Sequence, residues 1–343
     1  MDLEKLTQII RHKSKSLPEG VNIISPEELP SETKADWLIT LLSRMYVEHG
    51  ITKHRDQLVV DIDSGNCRIW FATKDNLPIG SAAQVKQSDQ AVEIGRAVSL
   101  TNGVGGLLML LAASDHFSRS DQPLVAEVRI ADDFMGIPSG EATQVICFKH
   151  LAMIPHACIP AFNHGQPNRQ EMFVFSSSQP FSDSEPAFLP DKQSILGLLA
   201  STALKLITSR FHPKLTVRTS PDPQPHRRGW EIARTRPFSV LIPTSPPTKL
   251  ETAVNKAEKE SPFTLIPLEL HPSSSPAVLE CLNLGFIPCG IDRQPGPQGH
   301  PVLLLGKLRP GTLLAPLQLA HHLHPDETQA VNLIDRTFRA RLR

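Results

Sequence analysis

The stretch EIGRAVSLTNGVGGLLMLLA, residues 93–112, joins a strand-like run, a small polar turn and an unbroken apolar segment. Three glycines, Gly103, Gly105 and Gly106, lie where the predicted strand passes into the predicted helix. The first amides of a helix have no carbonyl partner within it, and the helix dipole makes that end attractive to anions. Glycine lets a phosphate approach the backbone closely. The turn therefore predicts a pyrophosphate site built from Asn102, Gly103, Val104, Gly105 and Gly106.

The same glycines also allow a purely structural interpretation. They would then permit only close packing of the strand against the helix, with no ligand involved. On glycine content alone the two interpretations weigh equally, so the order of the surrounding elements has to decide between them.

The composition limits the class of protein. The chain has 343 residues, 40% of them hydrophobic, and a formal net charge of +0. This length predicts about two domains, and the charge does not draw the whole molecule toward nucleic acid or an anionic membrane. The N-terminus lacks the apolar run of a signal peptide, and no apolar window reaches membrane-spanning length. We expect a cytoplasmic protein with no membrane association.

The five cysteines, an odd number at irregular spacing, do not predict a disulfide framework. Cys147, His150, His156 and Cys158 have ligand-type side chains. They extend from a predicted helix into a predicted strand, which makes a tetrahedral site awkward, and we expect no metal.

Hydrophobic periodicity and turn residues predict alternating strands and helices. The predicted strands are 21–26, 58–62, 67–73, 79–87, 91–100, 124–130, the segment following 150, 171–177, the WEIARTR segment at 230–236, 238–244, 263–270, 285–291 and 300–308. The predicted helices are 31–48, 103–117, 139–150, 191–209, 248–260, 276–284 and 325–341.

One internal similarity indicates a repeat. VICFKHLAMIP (145–155) and VLECLNLGFIP (278–288) share the pattern Val-apolar-x-x-x-x-Leu-small-bulky-Ile-Pro. Each follows a predicted buried strand that is itself preceded by a helix and another strand. A strand–helix–strand–helix–strand unit therefore occurs twice, offset by about 133 residues.

The order strand, helix, three-strand meander, glycine turn, helix, strand, helix, strand resembles the GNAT acyltransferase superfamily over residues 21–177. The antiparallel meander before the turn distinguishes the chain from a Rossmann domain, and the turn lacks the Lys-Ser/Thr of a P-loop. The resemblance implies an α/β fold with a mixed α+β sheet. It would consist of two GNAT-like units, each a central mixed sheet flanked by helices.

The resemblance also implies how coenzyme A would bind. The family carries an Arg/Gln-x-x-Gly-x-Gly/Ala turn that grips the pyrophosphate. Here Gly105 matches the central glycine, Asn102 stands at the Arg/Gln position and Leu107 at the second Gly/Ala position. The pantetheine arm would lie along residues 96–100, against Val98 and Leu100.

Acyl transfer to an amine needs a base for the ammonium and an acid for the leaving thiolate. Glu93 lies on the strand where the family often places its base, although a salt-bridged strand carboxylate is the plainer interpretation. The family's usual acid is a tyrosine on the fourth helix, but the single tyrosine of this chain is Tyr46, in the first helix of the fold. Ser139 and Cys147 are the nearest substitutes. Arg96 is expected to be buried and paired with Glu127.

The predicted domains are an N-terminal GNAT-like acyltransferase domain (1–177), a Ser/Pro-rich linker (178–190), a degenerate C-terminal GNAT-like domain (191–310) and a helical tail (311–343). In the second unit the corresponding turn, IPTSPPTKL (242–250), has prolines and no glycine. Because proline lacks an amide hydrogen, we expect this unit not to hold coenzyme A.

The predicted activity is N-acyl transfer from acyl-CoA, such as acetyl-CoA, to an amine on a small molecule or protein. One alternative within the fold is a transferase that uses an acyl carrier protein or aminoacyl-tRNA. The basic residues of segment 205–236 would then meet phosphates, with Trp230 available for stacking. The other alternative is a non-catalytic GNAT-like scaffold or regulatory subunit.

Overall fold

A computed structural model of the chain describes residues 3–45, 54–88, 91–130, 140–161, 169–181, 183–191, 195–220, 229–234, 239–244, 249–319 and 322–342. The chain divides into two compact units. The first comprises Met1–Val128, Met135–Met153 and Ser177–Gln179, and the second Arg129–Phe134, Ile154–Ser176 and Pro180–Arg343. Within the described ranges, no helix is both long enough and apolar enough to cross a membrane.

The first unit follows the predicted order of elements closely. Its elements are α1 (Leu3–Ser14), β1 (Val21–Ile24), α2 (Ser31–Met45), α3 (Arg55–Asp63), β2 (Cys67–Lys74), β3 (Leu77–Ser88), β4 (Ala91–Ser99), α4 (Val104–Arg119), β5 (Leu124–Arg129, all but its last residue) and α5 (Glu141–Gln144), which continues as a π-helix, Val145–His150.

The predicted strand at 58–62 is wrong, because these residues lie in helix α3. The run LVVDI is rich in β-branched residues, which favours a strand in isolation. In the structure Leu58 and Ile62 are buried one helical turn apart, while Val60 is 57% exposed. Burial at i and i+4 therefore outweighs the local propensity.

The sheet of the first unit has the order β1-β2-β3-β4-β5. The pairs β1–β2, β2–β3 and β3–β4 are antiparallel, and β4–β5 is parallel. One hydrophobic core packs α2 and α3 against the sheet, through Leu38, Leu41, Leu42, Ile69 and Phe71 among others. Helix α4 buries half of its residues, including Leu107, Leu108, Leu110 and Ala112.

The second unit contains β6 (Ile154–Ala161), β7 (Arg169–Ser177, all but its last residue), β8 (Ala187–Leu189), α6 (Ile195–Thr208), β9 (Val217–Thr219), β10 (Gly229–Arg234), β11 (Ser239–Thr244), α7 (Leu250–Glu260), β12 (Phe263–Glu269), α8 (Ser275–Asn283), β13 (Ile287–Ile291), β14 (Val302–Leu308), β15 (Leu313–Leu314) and α9 (Pro325–Leu342). Its main sheet has the order β7-β6-β13-β14-β12-β11-β10, in which β11–β12 is parallel.

The Ser/Pro-rich segment expected to be a linker contributes to the second unit. Strand β8 pairs in parallel with β9, and Phe181, Ala187 and Leu189 lie in that unit's hydrophobic core. Sequence reasoning missed this strand because prolines and serines surround it. The boundaries of the four predicted segments stay a prediction.

The predicted mixed α/β class is confirmed, with helices against mixed sheets. The internal similarity has a backbone counterpart. Ala152 and Gly285 occupy corresponding positions of the two similar segments, and both have a positive φ, 51° and 88°. In each case a strand begins two residues later, at Ile154 and at Ile287.

Candidate active site

The predicted anion site lies at the start of α4. The N-cap is Gly103, with φ +82°, a conformation that L side chains rarely adopt. Gly105 and Gly106 serve a different purpose. A Cβ on Gly105 would lie 3.0 Å from Ser99 Cβ, and one on Gly106 would lie 3.3 Å from Ile146 Cδ1. Gly103 is therefore needed for the turn, and the other two for close packing.

The amides of this turn are partly committed. Thr101 N donates to Ser99 Oγ (3.2 Å), and Val104 N makes a long bond to Thr101 O (3.4 Å). Leu107 N bonds to Gly103 O (3.4 Å). The amides of Gly103, Gly105 and Gly106 have no acceptor in the described part of the chain. The structural and the ligand-binding interpretations of the glycines are therefore compatible.

The electrostatics of the turn also favour an anion. Helix α4 has 16 residues and no acidic residue in its first turn, so its N-terminal dipole is not neutralised from within. Asn102 is exposed beside it. An anion here would gain amide hydrogen bonds but no basic side chain at position 102.

An open strand edge leads to this turn. The parallel ladder between β4 and β5 consists of two residue pairs, Val92↔Leu124 and Glu93↔Val125. Beyond Glu93, β4 continues to Ser99 and keeps its antiparallel partner β3 on one side. Within the described chain its other edge has no ladder partner there, so the main-chain groups along 94–99 can pair with an extended ligand.

A β-bulge reshapes β4 at the middle of this edge. The register passes from Ala83↔Gly95 to Ser81↔Val98, so Arg96 and Ala97 face a single residue of β3. Arg96 has φ +50°, an uncommon value for a residue with a long side chain. Its carbonyl accepts a hydrogen bond from Ser81 Oγ (3.0 Å). A bulge bends its strand, which fits the short ladder to β5.

The two residues predicted for the pantetheine path differ in exposure. Val98 is 3% exposed and belongs to the core on the α2 side, whereas Leu100 is 41% exposed. Leu100 N is already bonded to Ile79 O (2.8 Å). A ligand along β4 would therefore contact the Leu100 side chain and the main chain near Val98, not the Val98 side chain.

Glu93 lies at the last rung of the β4–β5 ladder, where the two strands stop pairing. Burial raises the pKa of its carboxyl above the ordinary value, while Arg96 and a hydrogen bond from Gln87 Nε2 oppose the rise. A base with a raised pKa takes up a proton more readily near neutral pH.

Arg96 does not make the predicted pair with Glu127. Its Nη1 lies 3.1 Å from Cys67 Sγ, and its charge acts on Glu93. Glu127 is exposed on β5. The alternation of a regular strand predicted a different face for Arg96, and the bulge displaces it. Burial raises the pKa of the Cys67 thiol to about 11 in spite of the guanidinium.

Of the two residues predicted as the general acid, the structure describes only Cys147. Ser139 lies outside the described residues, as does Tyr46. Cys147 lies in the π-helix and is fully buried, which raises the pKa of its thiol to about 12. Its side chain has no surface open to a ligand in this conformation. The structure thus brings Glu93, Arg96 and Cys67 together and keeps Cys147 apart in the core.

Several basic side chains of segment 205–236 form ion pairs with acidic residues or lie outside the described residues. Arg210 forms an ion pair with Glu327 (2.9 Å), and Lys214 pairs with Asp183 (3.3 Å). Trp230, the predicted stacking residue, is 3% exposed and lies in the core of the second unit. Arg227, Arg228 and Arg236 lie outside the described residues. Among the described side chains, no group of three has the residue types and placement to hold a metal ion.

Comparison with known proteins gives a likeness of structure only. No family model and no curated protein matches the sequence. Similar solved structures include an N-acetyltransferase from Staphylococcus aureus Mu50 (12% identity, TM-score 0.34, 46% of this chain and 96% of that one). Others are the aminoglycoside 6'-N-acetyltransferase from Enterococcus faecium (13%, 0.33, 47% and 99%) and the spermidine/spermine N-acetyltransferase SpeG from Vibrio cholerae (9%, 0.34, 47% and 94%). They are of the GNAT type, the family that the sequence resembles.

Proposed function

We propose that the first unit is an N-acyltransferase that moves an acyl group from acyl-CoA, acetyl-CoA being the simplest donor, to an amine. One observation carries the proposal. The free amides of Gly103, Gly105 and Gly106 lie at the end of a strand whose edge loses its partner after Glu93. A thioester with an extended arm and a diphosphate has the matching chemistry, amide groups along the arm and a negative charge at its end.

Glu93 is the proposed base. Its position beside the end of the β4–β5 ladder and its raised pKa support the removal of a proton from an attacking ammonium. The neutral amine would attack the thioester carbonyl, the C–S bond would break, and the thiolate would take up a proton. Ser139 or a water molecule would supply that proton.

The second unit is proposed to be a degenerate copy of the first that holds no thioester. Its β11–β12 ladder is also parallel and, in the described part of the chain, also has two residue pairs, Ser239↔Thr264 and Val240↔Leu265. The shared positive φ of Ala152 and Gly285 supports the same relation.

Calorimetric titration with acetyl-CoA tests the proposal. Asn102→Glu places a carboxylate beside the amides, where it repels a diphosphate but suits the helix dipole, so the fold is retained. We expect roughly tenfold weaker binding, about 1.4 kcal/mol. Asn102→Arg supplies the missing cation and should bind several-fold more tightly.

Asn22→Glu is the matched control, because Asn22 is exposed on β1, at the other end of the same sheet. It should bind as the unmodified chain does. If acetyl-CoA at millimolar concentration gives no heat with any of these proteins, the coenzyme A proposal fails. The scaffold or a macromolecular donor would then be favoured, and co-purified RNA or carrier protein would separate those two.

A further inference from the structure

Ser184 and His212 form a side-chain pair in the second unit that the proposed acyl transfer does not use. Ser184 Oγ lies 2.8 Å from His212 Nε2, although the residues are 28 positions apart. Ser184 precedes β8, and His212 follows α6, where its amide bonds to Thr208 O (2.8 Å). A hydroxyl within hydrogen-bond distance of an imidazole is the basic arrangement of an activated nucleophile.

The imidazole is held in one orientation. His212 is 4% exposed and stacks on Phe181 with a centroid distance of 4.6 Å and an interplanar angle of 16°. Phe181 in turn packs edge-on against Phe211 (5.8 Å). Ser184 is half-buried, and its hydroxyl also lies within hydrogen-bond distance of Glu185 O (3.2 Å), at a longer distance than to the ring nitrogen.

The second ring nitrogen of His212 takes no part in the contact with Ser184. His212 Nδ1 is buried and has no hydrogen-bond partner in the described part of the chain. Leaving a buried polar atom unpaired costs more than a single hydrogen bond usually contributes to stability. The ring is therefore held by the Ser184 hydroxyl and by stacking on Phe181, and Nδ1 contributes no hydrogen bond to its orientation.

A second serine–histidine pair in the same unit gives an internal comparison. Ser273 Oγ lies 2.8 Å from His271 Nδ1, and Ser273 N also donates to that nitrogen (3.2 Å). The residues are two positions apart, so this contact closes a local turn. The shared distance shows that distance alone does not define a nucleophile, and it supplies a matched control.

Main-chain donors lie beside the Ser184 hydroxyl. Glu185 N bonds to Gly299 O (3.0 Å), whereas the amides of Asp183 and Ser184 have no acceptor among the described residues. An amide next to the nucleophile can donate to the oxyanion that forms when the hydroxyl attacks a carbonyl. Nucleophile, base and oxyanion donor are thus present within two consecutive residues and one histidine.

We propose that Ser184 is an acyl-accepting nucleophile, with His212 as its base, in a second site that takes small activated esters or thioesters. His212 Nε2 takes the hydroxyl proton as the Oγ–C bond forms and the bond to the leaving group breaks. The leaving alkoxide or thiolate then takes that proton. Water then attacks the acyl-serine while His212 Nε2 takes its proton. The bond to Ser184 Oγ breaks, the serine oxygen takes that proton back, and the acid is released.

The probe is p-nitrophenyl acetate with the full chain. We expect a burst of about one p-nitrophenolate per chain and an acetyl group on Ser184 in peptide mass spectra. Hydroxylamine should remove this ester but leave any lysine amide. Ser184→Ala should abolish the burst, and His212→Gln should slow it roughly 100-fold, the contribution of a general base.

Ser273→Ala and His271→Gln should leave the burst unchanged, and so should Asn22→Glu on β1. Melting temperatures of His212→Gln and Ser184→Ala near that of the unmodified chain exclude unfolding as the cause. If the burst is missing from the unmodified chain, persists in Ser184→Ala or maps to a lysine, the proposal is wrong.

Discussion

Two strand–turn–helix–strand segments, β4-α4-β5 and β11-α7-β12, differ in what they offer at the helix N-terminus. Among the described residues, both pair their strands in parallel through two residue pairs. Helix α4 follows Gly103 and has no acid in its first turn, whereas α7 follows Lys249 and has Glu251 there. A carboxylate in the first turn satisfies the dipole from within. The same backbone device can therefore bind an anion in one unit and exclude it in the other.

The prolines of segment 242–250 predict that the second unit does not hold coenzyme A, and the acidic residue in α7 supports the same expectation. Pro246 and Pro247 lie outside the described residues, and α7 begins after them at Leu250. The amide hydrogens that these prolines lack are thus only one reason to expect no diphosphate at the start of α7. The charge of Glu251, exposed at the helix start, is an independent reason to expect no diphosphate in the second unit.

The largest expected effect concerns the base. Glu93→Gln keeps the shape of the side chain and removes its ability to take a proton. We expect kcat to fall roughly 100-fold, about 2.7 kcal/mol, with the Kd for acetyl-CoA little changed. Steady-state kinetics and calorimetry on the same preparation measure both. An unchanged kcat would leave Glu93 with the structural role of a buried strand carboxylate.

The same variant has a predicted effect on stability. The carboxyl of Glu93 has a raised pKa in the fold, so its contribution to stability is fully present below its ordinary pKa and is lost as the pH rises through the raised value. Glu93→Gln should therefore unfold with a flatter pH dependence above the ordinary pKa of a glutamate carboxyl. Denaturant titrations at several pH values test this. Parallel pH profiles would mean that the fold does not perturb this group.

The comparison of the two turns predicts how many thioesters bind. Calorimetry should give about one acetyl-CoA per chain, held at α4. Removing the first-turn acid of the second unit, by Glu251→Gln, should leave that number at one, since the removal of a repulsion does not by itself build a site. A stoichiometry of two in the unmodified chain would contradict the assignment of the second unit as empty.

Much of this architecture could be predicted from the sequence because periodicity and turn residues act locally. The glycine turn, helix α4 and the strands on either side of it are of this kind. The bulge at Arg96 was not predictable, because nothing in AVEIGRAVS indicates which residue takes a positive φ. The contact of Arg96 with Cys67 joins residues 29 positions apart and follows from that bulge.

Burial also limited what could be foreseen of the site. The alternation of β4 predicts where side chains point but not how deeply each is covered. Glu93 is half-buried with a raised pKa, and Cys147 is fully buried in a π-helix that a regular helical pattern does not predict. Helix α3 shows the same limit, since tertiary packing at Leu58 and Ile62 overrides a β-branched run.

The smallest expected effect tests the proposed kinship of the two units through their backbone. Ala152 and Gly285 share a left-handed conformation, but only Gly285 adopts it without strain. Gly285→Ala should destabilise the chain by about 1 kcal/mol, since a Cβ there meets only ordinary contacts with Arg341 and Lys307. Ala152→Gly should stabilise it by about 0.5 kcal/mol, because relief of the strain is partly offset by the greater freedom of an unfolded glycine. Chemical denaturation measures the change in the free energy of unfolding for each variant. Changes of opposite sign would support the view that the two segments are copies of one turn. Equal signs would show that the two φ values arise for unrelated reasons.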